Sequence, residues 1–214
     1  MTTTFSRQAR FFPSCQFCQG SLRLPTILFY SVLLLLPSFA MCEEKEWSLG
    51  VYGGQYYDSE PAVFTQGNAN YLSQYMIAIT ASKKIWESES FPMSLEIDGM
   101  IGYQLGLAAI SEFAVAPVLR WHGFPWNGTL QTDFRVGPLG VSYTVPVSPL
   151  ELGKDGNGSQ FLNFLMIELA FSLPAVKSKE VFLRLHHRCT IYDLINNYGA
   201  NGEDFLALGY RQYF

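Results

Sequence analysis

The chain has 214 residues and contains 14 Lys and Arg against 18 Asp and Glu, which gives a net charge of −4 at pH 7. Proteins bind nucleic acid by neutralising its phosphates with basic side chains, so this acidic balance argues against nucleic acid as a partner. The length suits one domain, and aromatic residues make up 15% of the chain, a high share for a soluble protein.

The first forty residues have the pattern of a secretory signal peptide. They contain three arginines and no acidic residue, and an apolar run covers residues 27–36. Residues 38–40 follow with small side chains at the two positions that determine cleavage. A membrane-spanning helix needs about 20 apolar residues, so a retained anchor is the weaker alternative. We therefore predict a signal peptide over residues 1–40 and a single domain over residues 41–214.

The cysteines do not indicate a disulfide framework or a metal site. Cys15 and Cys18 form a Cys-x-x-Cys pair inside the predicted signal peptide, without a second pair of ligands. Only Cys42 and Cys189 remain in the predicted domain. No cluster of His, Asp and Glu has the spacing of metal ligands. We therefore predict neither a metal ion nor another cofactor.

Eight later segments have the pattern of β-strands. Six alternate apolar and polar side chains with a period of two, the fifth is interrupted by Gly137 and Pro138, and the sixth is apolar on both faces except for Asn163 and Glu168. The eight segments cover residues 47–52, 74–82, 94–103, 112–122, 134–143, 161–171, 181–190 and 204–214. An even number of strands allows antiparallel closure with both termini on one side. The pattern predicts an all-β fold, an eight-stranded antiparallel transmembrane β-barrel of the outer membrane.

The connections between these segments support a barrel in the outer membrane. Three of them are long and rich in Gly, Asn and Asp, namely residues 56–71, 145–159 and 192–202. The opposite set is compact and contains proline, namely residues 87–92, 123–129 and 174–179. Long external loops and short periplasmic turns are typical of such barrels. The chain also ends on Phe214, and a terminal aromatic residue resembles the assembly signal of these proteins.

A soluble β-sandwich or a small lipocalin-like barrel is the alternative, because these folds also contain many short alternating strands. In either of them the apolar face would form the core and the charges would face water. In the membrane barrel the charges lie inside and must be paired. The expected pairs join Glu96, Asp98 and Glu168 to Arg120, Arg184 and Arg188. The expected interfacial aromatic residues are Trp47, Tyr75, Trp121 and Trp126.

A candidate catalytic set lies in the last two segments. The apolar stripe of residues 181–185 continues into His187 and Cys189, since side chains two apart share a face of a strand. An antiparallel hairpin brings Asp204 back beside them. With a periplasmic N-terminus, these residues lie at the outer leaflet, where lipopolysaccharide resides. His186 points inward as a satisfied interior residue, and His122 lies near a periplasmic turn.

Several motifs resemble one known family, the outer-membrane lipid A deacylases, also called acyloxyacyl hydrolases. The similar segments are residues 116–121, 124–126, 162–165, 168–169, Leu185-His186-His187-Arg188 and residues 206–211. The resemblance implies a serine esterase with a His-x-Ser pair on one strand and an acid near the start of the last strand. It also implies removal of an acyl chain that is ester-linked to the glucosamine backbone of lipid A, with position 3-O expected.

The site residues depart in part from the family pattern. His187 matches the histidine, whereas Cys189 occupies the serine position. Asp204 stands where the best-known members have a glutamate, and Glu203, one residue out of phase, is the alternative acid. Thr190 follows the nucleophile, where those members have an asparagine that helps to form the oxyanion pocket.

The predicted function is that of an esterase acting on lipid A through Cys189, His187 and Asp204. Its partners would be lipopolysaccharide as substrate and the lipids of the Gram-negative outer membrane. The alternative is a catalytically degenerate barrel that stabilises the membrane or presents loops, with Cys189 acting only as a small hydrophobic residue. The sequence leaves open whether the barrel forms a homodimer.

Overall fold

The structure, a computed structural model, describes residues 45–58, 70–153, 155–191, 195 and 202–214. The predicted signal peptide and Cys15, Cys18 and Cys42 lie outside these ranges. Within them, no helix is both long enough and apolar enough to cross a membrane.

Eight antiparallel strands form a closed barrel in which each strand pairs with its sequence neighbours and the last strand pairs with the first. They are β1 (Trp47–Tyr57), β2 (Tyr71–Glu87), β3 (Met93–Leu105), β4 (Ile110–Trp121), β5 (Gln131–Val145), β6 (Phe161–Ser172), β7 (Lys179–Cys189) and β8 (Glu203–Tyr213). Single 3-10 turns cover Pro149–Glu151 and Pro174–Val176. The predicted eight-stranded antiparallel barrel is confirmed. Closure leaves no unpaired sheet edge, which a lipid environment requires.

The fifth predicted segment has the expected irregularity. The pairing of β5 with β6 shifts register between Gly137 and Gly140, and that of β4 with β5 shifts between Val115 and Leu119. Pro138 lies within the first shift, and a proline has no N–H to donate to a neighbouring strand. The strand therefore continues through a bulge and does not end at the proline.

The outer wall of the barrel is apolar and the interior is polar. Side chains on the outward face are mostly exposed, among them Val51, Ile77, Ile79, Ile101, Phe113, Val115, Leu183 and Leu208. Soluble proteins rarely expose such a continuous apolar surface, and a lipocalin-like barrel would bury it. The soluble alternatives are therefore wrong. Trp47, Tyr75 and Trp126 are exposed as expected of interfacial aromatic residues, and Trp121 is partly exposed.

A barrel of eight strands is too narrow to hold a channel, so side chains fill the interior. They form a network of ion pairs beside an apolar cluster that includes Met76, Phe164 and Phe182. Glu168 lies at the centre of the network and binds Arg135 at 2.7 Å, Arg184 at 2.7 Å and Arg211 at 2.8 Å. Asp98 lies 3.3 Å from Arg135 and 3.5 Å from Arg184. Each buried charge named here has a partner of opposite sign, as burial demands.

The predicted pairing of the interior charges is correct only in part. Arg120 does contact Glu96, and Arg184 contacts both Asp98 and Glu168. Arg188, in contrast, pairs with Glu151 at 2.5 Å and with none of the three expected acids. Glu151 belongs to the connection between β5 and β6, which folds into the mouth of the barrel. Strand alternation could not predict this pair, because it depends on the path of a loop.

Candidate active site

The candidate site is built on the pairing of β7 with β8. His187 and Asp204 are direct partners across these strands, so their side chains leave the sheet on the same face. His187 Nδ1 and Asp204 Oδ1 are 2.5 Å apart. Cys189 lies two residues beyond His187 on the outward face of β7, where it is half-buried. The structure thus brings together the three residues that the sequence singles out.

The geometry allows the imidazole to act between the acid and the thiol. His187 uses Nδ1 toward Asp204, which leaves Nε2 for the neighbouring Cys189 thiol, and the two side chains interact. The side chain of His187 is 18% exposed and that of Asp204 is 9% exposed, so the pair is shielded but reachable. A nucleophile, a base and an acid that orients the base form the arrangement of covalent acyl transfer.

Gly202, in the loop that leads into β8, packs against the imidazole of His187. A Cβ added to Gly202 would lie 2.7 Å from Cε1 of His187 and 2.8 Å from the carbonyl oxygen of Arg188. Both distances are too short for any side chain at this position. The close approach therefore requires glycine. Nothing in the sequence distinguishes this glycine from the others of a Gly-rich loop.

Asn163 is a further polar residue of the site. It is the partner of Cys189 across β6 and β7, and its Nδ2 lies 3.7 Å from Cys189 Sγ. The sequence marks Asn163 as unusual, because Asn163 and Glu168 are the polar residues of an otherwise apolar segment. It does not predict that Asn163 lies beside Cys189, because this depends on how β6 pairs with β7. The backbone N–H of Ile191 also approaches the Cys189 sulfur.

The two proposed auxiliary residues, Glu203 and Thr190, differ in their positions relative to the site. Glu203, the alternative acid, is fully buried on the interior face, where it accepts hydrogen bonds from Gln104 and Ser148, each at 3.1 Å. It therefore cannot replace Asp204 as the partner of His187. Thr190 is buried next to Cys189, and its backbone carbonyl accepts a hydrogen bond from the Ile195 amide.

The other two histidines have no part in this arrangement. His186 is fully buried, with Nε2 3.0 Å from Glu112 and Nδ1 3.1 Å from the Tyr52 hydroxyl. His122 follows β4 at the opposite end of the barrel, where it lines a cavity of about 610 Å³ beside Arg120. Across the described ranges, no group of three or more His, Cys, Asp and Glu side chains could hold a metal ion.

Comparison with known proteins supports the fold. No protein-family model and no curated protein sequence matches the chain. The crystal structure of the outer membrane enzyme PagL is similar, with 15% sequence identity and a TM-score of 0.53 over 78% of this chain and 99% of that chain. Neisserial surface protein A has 9% identity and a TM-score of 0.48, covering 78% of this chain and 97% of its own. Ail from Yersinia pestis, solved in a phospholipid bilayer nanodisc, has 10% identity and a TM-score of 0.38, with 78% and 99% covered.

These identities are too low to transfer an activity. The similarity to the PagL structure supports the barrel fold, and the closed sheet and the apolar outer wall are features of this chain itself. The chain is therefore an eight-stranded antiparallel β-barrel of the Gram-negative outer membrane.

Proposed function

We propose that this barrel is an esterase that hydrolyses an ester-linked acyl chain of lipid A, at position 3-O, in the outer leaflet. The observation that carries the proposal is the contact of His187 with Asp204 beside Cys189, on the lipid-facing wall. In this assignment Cys189 is the nucleophile, His187 the base and Asp204 the acid that orients it. The resemblance of the Leu185-His186-His187-Arg188 motif to lipid A deacylases supports the same assignment.

The position of the three residues in the barrel supports a lipid substrate. The start of β1 and the end of β8 lie at one end of the barrel, because Ser48 pairs with Tyr213. His187 and Asp204 lie at the other end of β7 and β8. With the proposed signal peptide over residues 1–40, the termini are periplasmic and this other end meets the outer leaflet.

The wall below the site is apolar. Leu185 and Leu206 are partners across β7 and β8, and Leu165 is the partner of His187 across β6 and β7. All three are partly exposed on the outward face. This surface could receive an acyl chain whose ester group lies at Cys189.

The proposed reaction has two steps. The Cys189 sulfur attacks the ester carbonyl carbon while His187 takes the thiol proton, and the carbonyl electron pair moves onto oxygen. The carbon–oxygen bond to the sugar then breaks, the sugar oxygen receives the proton from His187, and the acyl chain remains as a thioester. Water attacks this thioester while His187 takes its proton, the carbon–sulfur bond breaks, the sulfur receives that proton from His187, and a fatty acid is released. Asp204 orients the ring and stabilises the imidazolium.

The test is mass spectrometry of lipid A from Gram-negative cells that express the native protein, Cys189→Ala or Cys189→Ser. We expect the native protein to remove one hydroxyacyl chain and Cys189→Ala to remove none. His122→Ala is the matched control, since its histidine lies at the opposite end, and it should retain activity.

The remaining outcomes separate the alternatives. If only Cys189→Ser removes the chain, the scaffold is intact and the native protein has lost its nucleophile. If none of the proteins changes lipid A, the esterase proposal is wrong and the barrel has a structural or loop-presenting role.

A further inference from the structure

Asn163 is a buried amide on the otherwise apolar outward face of β6. It pairs with Val141 of β5 on one side and with Cys189 of β7 on the other. Its side chain is only 2% exposed, and Nδ2 points at the Cys189 sulfur from 3.7 Å. Its neighbours on the same face of the strand are Leu165 and Ile167.

The hydrogen bonding of this amide is incomplete. In the described parts of the chain, Oδ1 of Asn163 has no hydrogen-bond partner although it is buried. A buried carbonyl without a partner lowers stability, and an apolar residue would avoid this loss. Asn127 shows the contrast, since its Nδ2 donates to the His122 carbonyl and its Oδ1 accepts from the Thr132 amide. A purely structural role therefore explains Asn127 and does not explain Asn163.

A second donor approaches the same sulfur from the chain that leaves β7. It is the backbone N–H of Ile191. Ile191 has a φ of 49°, a left-handed conformation that a β-branched side chain rarely adopts. Such strain persists only where the surrounding structure enforces it, and it concentrates at functional sites. Two N–H donors from different segments thus converge on the sulfur.

We propose that Asn163 is a catalytic residue, whose Nδ2 donates a hydrogen bond to the oxyanion formed when Cys189 attacks an ester carbonyl, with the Ile191 N–H as the second donor. The inference rests on the proposed esterase function and names the groups that stabilise its transition state. Attack on the carbonyl carbon moves the carbonyl electron pair onto oxygen, directly beside the sulfur, where these donors lie. The same donors serve the second intermediate, when water attacks the thioester. Asn163 then takes the role that the sequence suggests for the neighbourhood of Thr190.

The first measurement uses the full barrel, refolded in detergent micelles, with hexa-acylated lipid A as substrate. We expect Asn163→Ala to lower kcat by about 10²–10³-fold, the usual effect of removing one oxyanion donor. KM should change by no more than about threefold, because the hydrogen bond forms only in the transition state. The matched control is Asn127→Ala, which should keep kcat and lower the urea midpoint of unfolding. Asn163→Ala should leave that midpoint unchanged or raise it.

The second measurement is alkylation of Cys189 by iodoacetamide, followed by mass spectrometry of the peptide that carries it. Alkylation requires the thiolate but forms no oxyanion, so Asn163→Ala should change its rate by no more than about threefold. A fall in alkylation as large as the fall in kcat would overturn the proposal, since Asn163 would then act on the thiolate. An active native protein with an equally active Asn163→Ala variant would overturn it too and leave the esterase function intact. A native protein that releases no fatty acid would overturn both.

Discussion

His186 and His187 are neighbours in the chain, yet they belong to two regions of different character. His186 faces the interior, where both ring nitrogens have partners in Tyr52 and Glu112. His187 faces the lipid, where it contacts Asp204 and lies beside Cys189. In the interior, ion pairs such as those of Glu168 with Arg135, Arg184 and Arg211 hold the barrel together. On the lipid-facing wall, a small polar cluster lies in an apolar surface and includes an amide oxygen without a described partner.

The comparison teaches that changes in the two regions should have different effects. A substitution in the interior should lower stability and leave the chemistry of the folded protein intact. A substitution in the lipid-facing cluster should lower activity and leave the barrel folded. Variants of the two regions test this separation when each is compared with a control variant from the other region or from an exposed position.

The largest effect is expected at the acid beside His187. Asp204→Asn keeps the shape of the side chain but cannot stabilise an imidazolium, and the equivalent change in a catalytic triad lowers kcat by about 10⁴-fold. The rate of fatty acid release from lipid A measures this fall in kcat. Glu203→Gln is the matched control, because Glu203 is adjacent but faces the interior, and it should retain activity. Loss of activity in Glu203→Gln with an active Asp204→Asn would reverse the assignment of the acid.

The next effect is a loss of stability at the centre of the interior network. Glu168→Gln removes the charge that pairs with Arg135, Arg184 and Arg211. Breaking a buried pair in this way leaves uncompensated charges and costs about 3–5 kcal/mol. Urea unfolding, monitored by the gel mobility of the folded barrel, should show a lower unfolding midpoint. The activity per folded molecule should be unchanged. Glu89→Gln, in an exposed turn, should be neutral. An unchanged midpoint for Glu168→Gln would mean that the network contributes little.

A smaller effect is expected at the glycine that packs against His187. In Gly202→Ala the new Cβ meets the imidazole edge and the Arg188 backbone, so the ring must move. A displacement of about 1 Å typically lowers the rate by about 10²-fold. Gly128→Ala provides the control, since an added Cβ there has nothing within 4 Å. Equal rates for the two variants would show that the position of the ring tolerates displacement.

The smallest effect is a dependence of stability on pH that arises from Glu151 in the loop before β6. Burial and the charges of Glu203 and Glu112 raise the pKa of Glu151 well above its usual value, although Arg188 lies 2.5 Å away. A carboxyl whose pKa is raised by folding stabilises the folded state fully below its unfolded pKa of about 4.3, and this contribution is lost as pH rises toward the folded pKa.

Glu151→Gln mimics the protonated carboxyl at every pH. We therefore expect the urea midpoint of the native protein to fall more between about pH 4 and pH 8 than that of the variant. Asp155→Asn, an exposed change in the same loop, should behave like the native protein. Parallel curves for the native protein and Glu151→Gln would contradict the prediction.

Much of the site is predictable from the sequence because it depends on neighbouring strands. The period of two places His187 and Cys189 on one face, and a hairpin brings Asp204 opposite His187. The same reasoning separates His186 from His187. Asn163 is different, since its contact with Cys189 depends on the register between β6 and β7. Gly202 and Glu151 act through the paths of loops, which no alternation pattern describes.

The sequence by itself determined the number of strands, their order and the outward face of the regularly alternating strands, because these follow from local alternation and from pairing between neighbours. Only the tertiary structure decided which buried charges meet and that the Asn163 amide reaches the Cys189 sulfur. The physical reason is closure. Joining β8 to β1 brings distant strands around a narrow interior, so the partners of a side chain depend on the register of the whole barrel.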